Sequence, residues 1–191
     1  MEAMGNYVSL FGGIGGAVTT LVLVRVGHYF ARPKLVLSFD ENGKAYMASS
    51  NHRENDQQVT RKYIRVSLRT SGRLGLSAAT NCRIYITAIQ CDGTDYLHDA
   101  RTISWPANND WKPRTIPRGI TMFANVVTMR VGVLHWNFKL PDQYGLHSVR
   151  SHAGILRVRI TATADNAKPC SIEIDASIKA DHSGFQARLV K

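Results

Sequence analysis

A mainly β fold is what this sequence predicts: a two-sheet antiparallel sandwich preceded by one N-terminal transmembrane α-helix. Three observations carry that expectation. Residues 7–24 form an uncharged apolar stretch. After Pro33, apolar and polar residues alternate through one short segment after another. Turn-forming pairs, Asn42-Gly43 and Asp92-Gly93 among them, recur between those segments.

The apolar stretch reads YVSLFGGIGGAVTTLVLV, 18 residues without a charge. A spanning helix needs about 20. It can lengthen to Phe30 if Arg25 lays its stem along the apolar surface and its guanidinium reaches the head groups. Tyr7, Tyr29 and Phe30 then stand where interfacial aromatics are expected. Glu2 precedes the stretch, whereas Arg25, Arg32 and Lys34 follow it. A cleaved signal peptide has the opposite charge order. The positive-inside rule therefore predicts a single-pass anchor in the inner (plasma) membrane, N-terminus out, with the β domain in the cytoplasm. Gly12 and Gly16 make a G-x-x-x-G, a spacing that lets two helix backbones approach closely. The anchor occupies residues 1–31 and the β domain 32–191.

Composition agrees with a folded domain, at 44% apolar and 20% charged. Net charge is +10, and residues 35–191 alone hold 21 cations against 13 carboxylates. Such a surface favours anionic partners: lipid head groups, nucleic acid or an acidic protein. The cysteines, Cys82, Cys91 and Cys170, are odd in number. Cys82 and Cys91 bound one expected strand of about 30 Å, and a disulfide needs Cα atoms within about 7 Å. Free thiols suit a reducing compartment.

Strand signals run in order along the domain. Lys34–Phe39 and Ala45–Ala48 flank Asn42-Gly43, which predicts a hairpin. Residues 49–61 (SSNHRENDQQVTR) are polar and read as a loop. In residues 62–70, Ile64, Val66 and Leu68 alternate with Tyr63, Arg65, Ser67 and Arg69. Residues 82–90, 120–131 and 133–140 are further β-rich runs. In residues 154–164, Leu156, Val158 and Ile160 alternate with Arg157, Arg159 and Thr161; in 170–179, Ile172 and Ile174 alternate with Glu173 and Asp175.

Within this series, Ile64–Arg69 with Thr70-Ser71-Gly72, leading into Ala78-Ala79-Thr80-Asn81-Cys82-Arg83-Ile84, resembles a recurrent phrase of bacterial immunoglobulin-like and fibronectin-type modules. Arg157–Ala164, Asp165-Asn166-Ala167 and Cys170–Ile178 are similar to their closing hairpin. The resemblance spans about a third of the chain. It implies an immunoglobulin-like sandwich and no particular activity.

No pattern here carries catalysis. The seven histidines form no H-E-x-x-H and no zinc spacing. There is no nucleophile elbow, phosphate-binding loop or dinucleotide fingerprint. The expectation is a non-enzyme without metal or cofactor.

Two surfaces stand out as binding candidates. Residues 101–119, RTISWPANNDWKPRTIPRG, interleave Trp105 and Trp111 with Lys112, Arg114 and Arg118 between three prolines. Rigid aromatics beside arginine are the composition of interaction hot spots. Arg65, Arg69, Arg83, Arg157 and Arg159 fall on outward strand positions and form an expected basic face. The chain thus reads as a membrane-tethered binding or assembly module, its partners being the lipid bilayer, a protein or a second copy, and anionic lipid. A membrane-anchored sensor of nucleic acid or a nucleotide ligand, using the basic face, is the alternative.

Overall fold

The structure, a computed structural model, describes residues 32–54, 57–71, 78–97, 99–105, 111–132, 135–138, 147–150, 154–179 and 184–190. Residues 1–31, with the expected anchor and Gly12 and Gly16, lie outside the described residues. Among the described residues no helix is long and apolar enough to cross a membrane.

The described chain is mainly β and builds two antiparallel sheets. Its strands are β1 (Lys34–Ser38), β2 (Met47–Glu54), β3 (Gln57–Ser71), β4 (Ala79–Cys91), β5 (Thr94–Asp95), β6 (Arg101–Thr102), β7 (Arg114–Ile116), β8 (Thr121–Arg130), β9 (His135–Phe138), β10 (His147–Arg150), β11 (Ile155–Ala164), β12 (Ala167–Ile178) and β13 (Phe185–Leu189). Sheet one runs β1-β3-β8-β9-β10, with β2 also paired to β3. Sheet two runs β13-β12-β11-β4-β5, with β6 and β7 also paired to β4.

Period-two alternation explains the core. Ile64, Val66 and Leu68 of β3 meet Ile84, Ile86 and Ile89 of β4 and Leu156, Val158 and Ile160 of β11 in one buried cluster. Each such side chain contributes about 1.5–3 kcal/mol on burial. Between β4 and β11 the register shifts at Arg159/Ile160, leaving Thr87 with no residue opposite it on β11. This bulge turns Ile89 and Cys91 inward after Ile84 and Ile86. A second shift leaves Val126 of β8 unmatched on β3, and Val126 and Val127 are both buried. Trp136 of sheet one meets Phe185 of sheet two at 5.7 Å between ring centroids.

The Asp92-Gly93 turn behaves as expected. Cys91 faces Thr94 across it, and both turn residues take positive φ, 52° and 79°, the requirement of a type I′ hairpin. Asn42-Gly43 does not. Instead of pairing with each other, β1 and β2 lie end to end along one edge of β3. Gly93, Gly119 and Gly132 take positive φ and Gly43 does not. Asp40 caps the turn, accepting from Asn42 N at 3.0 Å and from Gly43 N at 3.2 Å. The turn folds back over sheet one because Tyr46 is gripped there: its ring meets Phe39 and Phe123 edge-on, and its hydroxyl pairs with Ser67 Oγ at 3.0 Å.

The expected loop at 49–61 is also corrected, since it contributes to strands β2 and β3, registered from Met47↔Ile64 to Glu54↔Gln57. Its polarity reflects exposure. The hairpin reaches past the core, and side chains pair along it, as in Thr60 to Asn51 at 2.9 Å.

Candidate binding surfaces

The two tryptophans of the 101–119 segment have opposite fates. Trp105 is 3% exposed, and its Nε1 donates to Lys112 O at 3.1 Å. It belongs to the core and ties down the far side of its own loop. Trp111 is 37% exposed, beside exposed Lys112, half-buried Arg114 and exposed Arg118. Residues 106–110 lie outside the described residues. β6 and β7, on either side, pair with the same edge of β4. The segment thus shields an otherwise open strand edge while bringing Trp111 to the surface.

The five arginines expected to form one basic face project outward, but from two sheets. Arg65 and Arg69 stand on β3 in sheet one; Arg83, Arg157 and Arg159 stand on β4 and β11 in sheet two. Alternation along a strand decides inward or outward; it does not say which sheet the strand joins.

The two outer faces differ electrostatically. On sheet two, Arg157 donates to Asp175 at 2.7 and 3.1 Å, Arg159 Nε donates to Glu173 at 2.6 Å, and Arg188 lies 3.6 Å from Asp175. Cross-strand acids answer these cations. A hollow of about 390 Å³ beside them is lined in part by Asp175, Ser177, Gln186 and Arg188.

On sheet one the outward positions of β2, β3 and β8 hold Arg61, Arg65, Arg69 and Arg130 against one carboxylate, Glu54. Glu54 is shared, bonding Arg61 and lying 3.8 Å from Arg130. Arg65 is aimed by Asn125, which accepts from its Nε at 2.8 Å, and its guanidinium sits 5.7 Å from the Tyr63 ring centroid. Tyr63 OH, His52 Nε2 and Ser50 Oγ form a hydrogen-bonded triangle next to it, at 2.7, 2.8 and 3.2 Å. Arg61, His52 and Ser50 fall in the segment expected to be a loop, whereas Tyr63 and Arg130 fall in expected strands whose pairing with that segment the sequence does not announce.

A third grouping lies at one end of the sandwich. β1 begins there, β3 ends there, and so do the β7–β8 and β11–β12 turns. Pro117-Arg118-Gly119-Ile120 is a tight turn closed by Ile120 N to Pro117 O at 3.3 Å, with Gly119 at φ 76°. That geometry is type II and needs glycine at the third position. Thr70 Oγ1 donates to Pro117 O at 3.1 Å and fastens the turn to β3. In the neighbouring turn Asn166 accepts from Thr80 N at 3.0 Å and donates to Ala78 O at 2.9 Å. Its amide completes the backbone bonding where β4 begins.

All three cysteines are free. Burial pushes the thiols of Cys82, Cys91 and Cys170 up; Asp165 adds to this at Cys82 and Asp92 at Cys91. Among the described residues no group of three or more His, Cys, Asp and Glu is arranged to hold a metal ion.

No protein-family model, curated protein or solved structure matches this chain.

Proposed function

We propose that this chain is a membrane-tethered, non-catalytic binding module: an immunoglobulin-like sandwich held at the cytoplasmic face of the inner membrane by the helix of residues 7–24. The apolar run and the cations after it support the tether. Strand order supports the immunoglobulin-like reading. β1-β3-β8 in one sheet and β4-β11-β12 in the other follow the A-B-E and C-F-G arrangement of that fold. β2, β5, β6, β7, β9, β10 and β13 lie outside that correspondence.

The observation that carries the binding role is the division of labour between the two tryptophans. Trp105 anchors the loop from inside, while Trp111 reaches the surface among cations. A protein partner with an acidic rim around an apolar spot fits that arrangement. The test is site-specific photo-crosslinking from position 111 of the full chain in cells. One discrete adduct, absent with the probe at Thr94, is the expected result. Adducts indistinguishable between the two positions overturn the reading.

A second reading follows from sheet one. Arg61, Arg65 and Arg69 occupy one face of one strand at four-residue intervals, about 13 Å apart, next to Tyr63. Such a stripe suits phosphates, and a nucleic-acid or nucleotide-ligand sensor at the membrane uses it. RNA or DNA binding that falls steeply with salt supports this reading; no binding at low salt removes it.

A further inference from the structure

We infer that the end of the sandwich where β1 begins is a docking surface for anionic phospholipid head groups, an inference that rests on the membrane tether proposed above.

The chain comes out of its apolar segment directly into Arg32-Pro33-Lys34, and Lys34 pairs with Ser71 at the last position of β3. Arg32 is the first described residue, so the tether proposed above enters the domain at this end. Arg32, Lys34, Arg69, Arg118 and Lys168 are all exposed there. They come from five separate places in the sequence: the approach to β1, β1 itself, the end of β3, the β7–β8 turn and the start of β12. Among the described residues at this end Asp165 is the one carboxylate, and it is engaged by Asn81. The opposite end is mixed, with Glu54, Asp92 and Asp95 among its cations.

Ile120 stands at this basic end at 50% exposure, in the same turn as Arg118 and next to Thr121, which pairs with Arg69. It is displayed by the type II turn that Thr70 fastens to β3, so it is held outward by rigid backbone. Exposed aliphatic side chains ringed by lysine and arginine suit the boundary between head groups and acyl chains. Each cation near an anionic leaflet strengthens the association about fivefold, and the attraction fades within a Debye length. Convergence at the tether, and not charge alone, distinguishes this surface from the arginine stripe of sheet one, with which it shares Arg69.

The test uses the full chain with vesicles of phosphatidylcholine, alone or with about a third phosphatidylserine. Flotation reports the tether, and hydrogen exchange at residues 118–121 reports docking. Incorporation into both lipids, with exchange slowed about fivefold or more only with phosphatidylserine, is expected. High salt and the combined Lys34→Gln, Arg69→Gln and Lys168→Gln variant should abolish the slowing. Lys179→Gln, removing charge from the far end, should leave it. Incorporation without any lipid-dependent change in exchange overturns the docking surface and spares the tether. A chain that stays out of phosphatidylcholine vesicles overturns the tether; flotation with phosphatidylserine vesicles then still supports the surface, and flotation with neither overturns both.

Discussion

Arg157 and Asp175 face each other across β11 and β12, joined by two hydrogen bonds of 2.7 and 3.1 Å. Asp175 is 5% exposed although it points away from the core, because Arg157 and Arg188 lie over it. Hydrogen bonds from Arg157 hold its carboxyl below the ordinary carboxylate range, against the opposing effect of burial, and the charges of Arg157 and Arg188 add to this. A carboxylate depressed in the folded state contributes stability above its unfolded value, about 3.9, and loses it as pH falls through the folded value. Asp175→Ala should cost about 2 kcal/mol at pH 7 in urea unfolding, since exposed Arg157 can rehydrate. The difference from the parent should shrink below pH of about 4. An unchanged difference at acid pH would show that the effect is steric.

Asn166 stands in for a missing strand at the start of β4. Asn166→Ala removes both of its bonds, to Thr80 N and Ala78 O, and should cost about 1–2 kcal/mol. Asn166→Asp keeps the acceptor and loses the donor, so it should fall between. Exchange of the Thr80 amide should quicken in the alanine variant. If it does not, the side chain does not hold that strand end.

The tryptophans separate a core role from a surface role. Trp105→Ala should cost about 3–5 kcal/mol, while Trp111→Ala should cost distinctly less, since it leaves no core cavity. Acrylamide should quench Trp111 and leave Trp105 and Trp136 largely untouched, since both are buried. Equal destabilisation by the two substitutions would place Trp111 in the core and remove it as a binding residue.

Burial raises the thiols of Cys82 and Cys91, and at neutral pH the native protein should resist thiol reagents at both positions. Full labelling should follow unfolding. A thiol raised in the folded state keeps its proton there longer than in the unfolded chain. Its contribution is complete below the unfolded value of about 8.5 and declines as pH climbs from there to the folded value. Stability should therefore fall in mild alkali, and Cys82→Ala with Cys91→Ala should lessen that slope. A slope that the double variant leaves unchanged would assign it to other groups.

How far the fold could be read in advance depended on burial. Where one face of a strand is buried, as in Ile64/Val66/Leu68 or Leu156/Val158/Ile160, the alternation is written in the residues and the structure follows it. Met47–Glu54 and the first residues of β3 carried no such signal, since water covers much of that hairpin and polar residues serve on either face. The short β5, β6 and β7 exist because β4 offers them an edge, which no local pattern announces. The same holds for β13, paired along the far side of β12.

Local chemistry therefore determined that the half-buried segments extend, which of their side chains turn inward, where Asp92-Gly93 reverses the chain and how strongly basic the surface is. Only the tertiary structure decided that Asn42-Gly43 makes no hairpin, that Trp105 belongs inside and Trp111 outside, and that the outward arginines divide between two sheets, with Arg157 and Arg159 paired to acids on the neighbouring strand. The reason is range. A strand's period and a turn's φ are settled by neighbours a few residues away, whereas the partner of Arg157 or Arg65 is chosen by which strand lies alongside, 18 or 60 residues distant in the chain.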